Sequence, residues 1–173
     1  IKKGNSDLIE IKLNHNSNYK LKNHDLFTVF EFESSDLTNK LRNGFFHARL
    51  ITKVKRKIWR ELFIQNEFDN SQNLESRKLI GLGLRYKLKN KYYLNAFYYG
   101  ISLFISNEKY TNPKEQKQSP WLSQYLSFEK KIGPNILFKS INYIQLNDYF
   151  LKNYRFLSET KLLTKISRKV HTS

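Results

Sequence analysis

Four histidines, a handful of glutamates and three serines are the side chains with which this chain could do chemistry. A metal site needs histidine, cysteine or carboxylate ligands at a characteristic spacing. His15, His24, His47 and His171 stand far apart, and the chain has no cysteine, so neither a metal nor a cofactor is predicted. Glu61, Glu67, Glu129 and Glu159 could pair as general acid and base. With Arg85, Lys161 and Lys165 nearby in the pattern, they read instead as members of ion-pair networks. Ser123, Ser127 and Ser158 have neither a neighbouring histidine nor a nucleophile elbow, so no hydrolase triad is predicted. Gly81-Leu82-Gly83 runs into more strand-like sequence and not into a helix N-terminus, which removes a phosphate-binding loop. These glycines make room between crowded side chains or relax strand coiling.

The elements that must position these residues show a period of two. From Leu79 to Leu88, Ile80, Leu82, Leu84 and Tyr86 share one parity while Gly81, Gly83, Arg85 and Lys87 share the other, the signature of a strand with one apolar and one polar face. Five more segments alternate in the same way: 7–15, 26–33, 58–69, 121–129 and 154–166. Three others, 41–52, 92–105 and 136–147, are rich in aromatic and β-branched residues and are also predicted as strands. No helical spacing of apolar residues is sustained anywhere. Nine strands are predicted within a single domain spanning 1–173, joined by short turns at 53–57, 89–91 and 130–135 and by longer loops at 34–40, 70–73 and 107–120.

Composition narrows the class. Of 173 residues, 31 are Lys or Arg and 15 are Asp or Glu, a formal charge of +16, so partners should be anionic. Aromatic residues make up 15%, which argues against disorder. No apolar run of about 18 residues is present, so no transmembrane helix is predicted. Strands of 10–13 residues exceed the soluble norm and suit a bilayer crossed by tilted strands. In a membrane barrel the apolar parity meets lipid and the polar parity lines the lumen; a soluble barrel inverts this, and alternation by itself leaves both open. Phe45, Phe46, Trp59, Tyr92, Tyr93, Trp121, Tyr149 and Phe150 lie near strand ends and are expected to form interfacial belts.

Glu61-Leu62-Phe63-Ile64-Gln65-Asn66-Glu67-Phe68-Asp69, then Leu74, Arg77 and Leu79-Ile80-Gly81-Leu82-Gly83-Leu84-Arg85-Tyr86, resemble the centre of a bacterial outer-membrane barrel family, domain of unknown function 481, the salt-induced outer-membrane protein group. Lys3-Gly4-Asn5-Ser6 is similar to its early Gly-Asn-Ser/Thr element, and Tyr143-Ile144-Gln145-Leu146-Asn147-Asp148 with Asn153-Tyr154-Arg155 is similar to its late hairpin. The resemblance covers nearly the whole chain and implies an up-and-down antiparallel transmembrane β-barrel. The chain departs from the family in stopping at Val170-His171-Thr172-Ser173 and not on a strand with a terminal aromatic. It also contains no Met. One strand before Ile1 and two after Ser173 are therefore expected, about twelve in the full protein, an even number with the short turns periplasmic and the longer loops outside.

The resulting expectation is a non-enzymatic protein of the bacterial outer membrane with a structural or narrow-pore role. Glu10, Lys12, Glu31, Glu61, Glu67, Arg85, Lys87, Arg155, Glu159, Lys161 and Lys165 are expected to face the lumen. Leu62, Ile64, Ile80, Leu82, Leu84, Phe156 and Leu162 are expected to face lipid. Outer-membrane lipid and lipopolysaccharide are the expected partners, with other envelope proteins as further candidates and no nucleic acid. The competing reading is a soluble basic β-barrel that binds single-stranded nucleic acid or another polyanion by stacking and phosphate contacts.

Overall fold

The computed structural model of the chain describes residues 10–35, 41–88, 95–111, 114–147 and 153–164. Within these, nine antiparallel strands form one sheet in sequence order: β1 (Glu10–Lys20), β2 (His24–Ser35), β3 (Leu41–Lys53), β4 (Ile58–Asp69), β5 (Leu74–Lys87), β6 (Ala96–Thr111), β7 (Lys114–Ile132), β8 (Ile136–Asn147) and β9 (Asn153–Thr164). This is the predicted meander, and β4 and β8 have the predicted bounds. Of the stretch 107–120, expected to be a polar loop, residues 107–111 and 114–120 are instead strand: β6 and β7 pair as far as Thr111↔Lys114. Its residues alternate without an apolar face, so hydropathy hid it, while backbone pairing and cross-strand contacts such as Gln116 Nε2 to Asn107 Oδ1, 3.3 Å, sustain it. Pro120 fits because β7 pairs with β8 only from Trp121 onward, leaving one edge free at the residue that lacks an N–H. Of the loop expected at 34–40, Ser34 and Ser35 belong to β2, and the rest of it, like the turn expected at 89–91, lies outside the described residues.

Side-chain contacts reveal the curvature. Arg49 on β3 and Tyr125 on β7 are four strands apart, about 19 Å on a flat sheet. The Arg49 guanidinium carbon nevertheless lies 5.9 Å from the Tyr125 ring centroid. The sheet therefore curls into a half-barrel, and the face that carries these residues is concave.

The other face is convex and apolar. Following the register across all nine strands, Tyr19, Leu26, Leu50, Leu62, Leu82, Leu103, Leu122, Leu146 and Tyr154 are successive neighbours, one from each strand. Leu62, Leu82 and Leu103 are 55%, 63% and 59% exposed. The concave face instead buries Phe63, Phe104 and Trp121. Edge-on contact between Phe63 and Phe104 and parallel stacking of Phe104 on Trp121, with centroids 6.2 and 6.0 Å apart, build this small aromatic core.

Gly81 makes the core possible. It pairs with Phe63 on one side and Phe104 on the other, and a Cβ there would lie 2.3 Å from the Phe63 ring. Gly133, in the β7–β8 turn, has φ +75° and open space around it, so there the backbone and not packing selects glycine. Gly81→Val should cost about 1–3 kcal/mol through overpacking, and Gly133→Ala about 1 kcal/mol through its left-handed backbone. Urea unfolding followed by tryptophan fluorescence should show the first change with altered native emission of Trp121 and the second without it. Equal emission in both variants would contradict the packing described.

Candidate functional site

Strand parity determines which side chains share the concavity. Arg49, Glu61, Arg85 and Tyr125 come from β3, β4, β5 and β7 and converge there. Glu61 is 2% exposed. Its Oε1 accepts a hydrogen bond from the Tyr125 hydroxyl at 2.7 Å and pairs with Arg85 Nε, while its Oε2 lies 3.4 Å from Arg49 Nη1. Arg85 Nε also reaches the Tyr125 oxygen at 2.7 Å. Arg49 lies over the Phe63 ring at 5.1 Å, and Arg85 over the Tyr98 ring at 5.3 Å. The Arg49 Nε is buried without a hydrogen-bond partner.

A second cluster lies toward the β6–β7 hairpin. Glu108 accepts from Arg77 Nε at 3.0 Å, from Arg155 Nη2 at 3.2 Å and from the Tyr110 hydroxyl at 2.7 Å. Arg77 also contacts Glu67 at 3.1 Å. Arg155 stacks over Trp121 at 4.3 Å, and the Trp121 indole donates to Ser106 and Ser119. Glu108, Tyr110, Trp121 and Arg155 help to line a depression of about 340 Å³.

Among the charged residues singled out in the sequence, Glu31, Glu61, Glu67, Arg85, Arg155, Glu159 and Lys161 share the concave parity, as do Lys12 and Lys87. Lys12 pairs with Glu33 at 3.1 Å, Asn14 donates to Glu31 at 3.4 Å, and Lys161 pairs with Glu159. Glu129, at the same parity, pairs with Lys139 at 2.8 Å. Only the backbone of Glu10 is described, and Lys165 lies outside the described residues. Ile64, Ile80, Leu84, Phe156 and Leu162 are exposed on the convex face with Leu62 and Leu82.

Several expectations need correction. Phe45, Trp59 and Trp121 do not join an outward belt: Phe45 stacks on His47, Trp59 packs against Tyr98 at 5.1 Å, and Trp121 is 4% exposed in the aromatic core. Phe46 does point outward, and Tyr92, Tyr93, Tyr149 and Phe150 lie outside the described residues. The outward aromatics at the turn end are instead Tyr86, Tyr99, Phe128 and Phe138, which share the convex parity. Sequence reasoning missed Arg49, Arg77, Glu108 and Tyr125. Arg49 stands between apolar Ala48 and Leu50, a parity signal that could have found it. Glu108 was hidden in the supposed loop.

The glutamates of this arrangement are members of ion pairs. Both Glu61 oxygens are engaged, and each glutamate once considered for catalysis meets its own cation. Ser158 donates to Asn142 at 2.8 Å on the convex face, away from any histidine contact. His47 is buried beside Gln65 and phenylalanine rings. Among the described residues no group of three His, Cys, Asp or Glu side chains could hold a metal.

Glu61→Ala should destabilise the fold by about 3–5 kcal/mol, because it leaves two buried guanidiniums uncompensated. Tyr125→Phe removes one hydrogen bond and should cost about 1–3 kcal/mol. Urea midpoints measured on the two variants should fall in that order, and a wild-type midpoint for Glu61→Ala would show that the carboxylate does not hold the curve.

No curated protein and no solved structure matches the chain. A family profile does, along residues 1–173, and the chain therefore belongs to the family described as protein of unknown function, DUF481.

Proposed function

We propose that the chain is the greater part of an integral β-barrel of the bacterial outer membrane, of about twelve strands in the full protein, without enzymatic activity and with a structural or narrow-pore role. One observation carries this reading: the outward row of apolar side chains that crosses all nine strands, with Leu62, Leu82 and Leu103 at its middle exposed and none of its members buried. A soluble barrel would turn that row inward. In acyl chains its exposure costs nothing, and the polar concave parity becomes the lumen. Among the described residues β1 and β9 each have a neighbour on one side only, and in lipid such edges must be paired. Outer-membrane lipid and lipopolysaccharide are the partners that an apolar surface with basic flanks would meet.

The lumen in this reading is obstructed. At the level of Glu61 the side chains of Arg49, Arg85 and Tyr125 reach across the concavity, and Phe63, Phe104 and Trp121 fill the adjoining layer. Mixed charge in a tight lumen supports a plugged or very narrow path with little ion selectivity.

Two measurements test the proposal. Leu82→Arg, at the middle of the apolar band on β5, should lower stability in bilayers by about 2–4 kcal/mol. On a soluble protein the same exposed site would tolerate the change to within about 0.5 kcal/mol, so a neutral result would overturn the membrane reading. In planar bilayers the full-length protein should pass little or no current, and Arg49→Ala combined with Tyr125→Ala should open a measurable conductance. A wide pore in the unmodified protein would refute the plug.

A further inference from the structure

The positive charge is unevenly placed along the strands. The β1–β2, β3–β4, β5–β6 and β7–β8 connections lie at one end of the sheet and are knitted together by backbone bonds: Lys53 N–H donates to the Asn23 carbonyl at 2.9 Å, Lys87 N–H to the Lys57 carbonyl at 2.8 Å, and Asn95 N–H to the Glu129 carbonyl at 2.8 Å. At this end, segments 20–25, 53–60, 87 and 129–131 carry ten Lys or Arg and two acidic residues. All ten cationic residues are exposed. Both acids have partners, Asp25 with Lys53 and Glu129 with Lys139. At the opposite end, the described segments 33–35, 41–42, 67–78, 108–111 and 114–117 carry six cationic and six acidic residues. The excess charge therefore forms a collar at one end.

The collar adjoins the rim of the apolar band. Ile58, Tyr86, Tyr99 and Leu126 are successive neighbours across β4 to β7 at that rim. Lys55, Arg56 and Lys57 lie in the turn just before Ile58, and Lys130 and Lys131 lie four and five residues beyond Leu126. Amphipathic aromatics followed at once by long basic side chains match the profile of a bilayer, with acyl chains first and phosphates next.

We propose that this end is a collar for anionic phospholipid headgroups, whose lysines and arginines contact lipid phosphates in the leaflet where the tight turns emerge. The inference rests on the membrane reading given above and adds to it which end meets which lipid chemistry. A soluble polyanion would be served by cations spread over a face or groove, whereas these follow one end of the sheet and border the apolar band, so lipid is the better occupant. Each cation near an anionic surface adds about 1 kcal/mol of attraction, which falls off within a Debye length.

The experiment refolds the full-length protein in vesicles of phosphatidylcholine alone and of phosphatidylcholine with phosphatidylglycerol, and reads the folded fraction through a urea titration. Phosphatidylglycerol should raise the folded-to-unfolded ratio at a fixed urea concentration by about tenfold or more, and high salt should erase the gain. The variant Lys55→Gln, Arg56→Gln, Lys57→Gln, Lys130→Gln, Lys131→Gln should fold equally in both vesicles. The variant Lys109→Gln, Lys114→Gln, Lys117→Gln, at the other end, should keep the gain. An equal folded fraction of the unmodified protein in both vesicles, or loss of the gain in the second variant as well, overturns the collar while leaving the barrel intact. Folding in neither vesicle, with salt-dependent binding of a single-stranded oligonucleotide in solution, overturns both. The salt dependence of the unmodified protein provides a readout even if the five-site variant fails to fold.

Discussion

A carboxylate that its own strand cannot satisfy bends the sheet. Glu61 sits on β4 with both oxygens removed from solvent, and its partners arrive from β3, β5 and β7. A buried charge without those partners would cost several kcal/mol, so the pairing demands that β7 swing over toward β4. Tyr125 can make that reach only because β6, which lies between, presents Gly100 beneath it. A Cβ at Gly100 would fall 2.0 Å from the Tyr125 ring. The acid, the phenol and the missing side chain form one device, and curvature is its product.

The curvature then sorts the two faces. On the concave side, space runs out, so aromatic rings stack over glycine and charges are matched in pairs. On the convex side, rows of leucine and isoleucine spread apart and remain exposed. This explains how a chain that is 39% hydrophobic, with a mean hydropathy of −0.65, can present an apolar exterior: half the positions of each strand are withdrawn from it. Polar groups on the convex side of β8 and β9 are paired with one another: Ser140, Asn142, Ser158 and Thr160 are joined by hydrogen bonds, which lowers the cost of placing them beside apolar neighbours.

The strands were legible because their polar and apolar residues alternate with a period that only extended backbone has. Ile58–Asp69 and Ile136–Asn147 could be bounded to the residue, since turn sequences flank both. The projecting part of β6 and β7 was not legible: its strands are polar on both faces, Pro113 and Pro120 signal a break, and pairing there depends on backbone bonds that leave no mark in hydropathy. For the site, parity was enough to place Glu61 and Arg85 together. Tyr125 and Arg49 could not be joined to them, because a contact across four strands is a property of sheet curvature, and curvature depends on where Gly100 falls in the register. Trp59 and Trp121 were misjudged for a related reason: large aromatics suit a bilayer interface and a crowded concave face equally well, and only the register decides between them.

Charge bookkeeping along the molecule changes the meaning of its basicity. The concave face sets Arg49 and Arg85 against Glu61, Arg77 and Arg155 against Glu108, Lys139 against Glu129 and Lys161 against Glu159. Four acidic residues of the strands are matched there to six cations. The net charge of +16 therefore lies mostly outside these concave pairs. Lys22, Lys55, Arg56 and Lys57 stand on exposed turns, where long flexible side chains keep their hydration. Ion-paired charge on the concave face and a basic excess at the turn end are two consequences of one placement of acids.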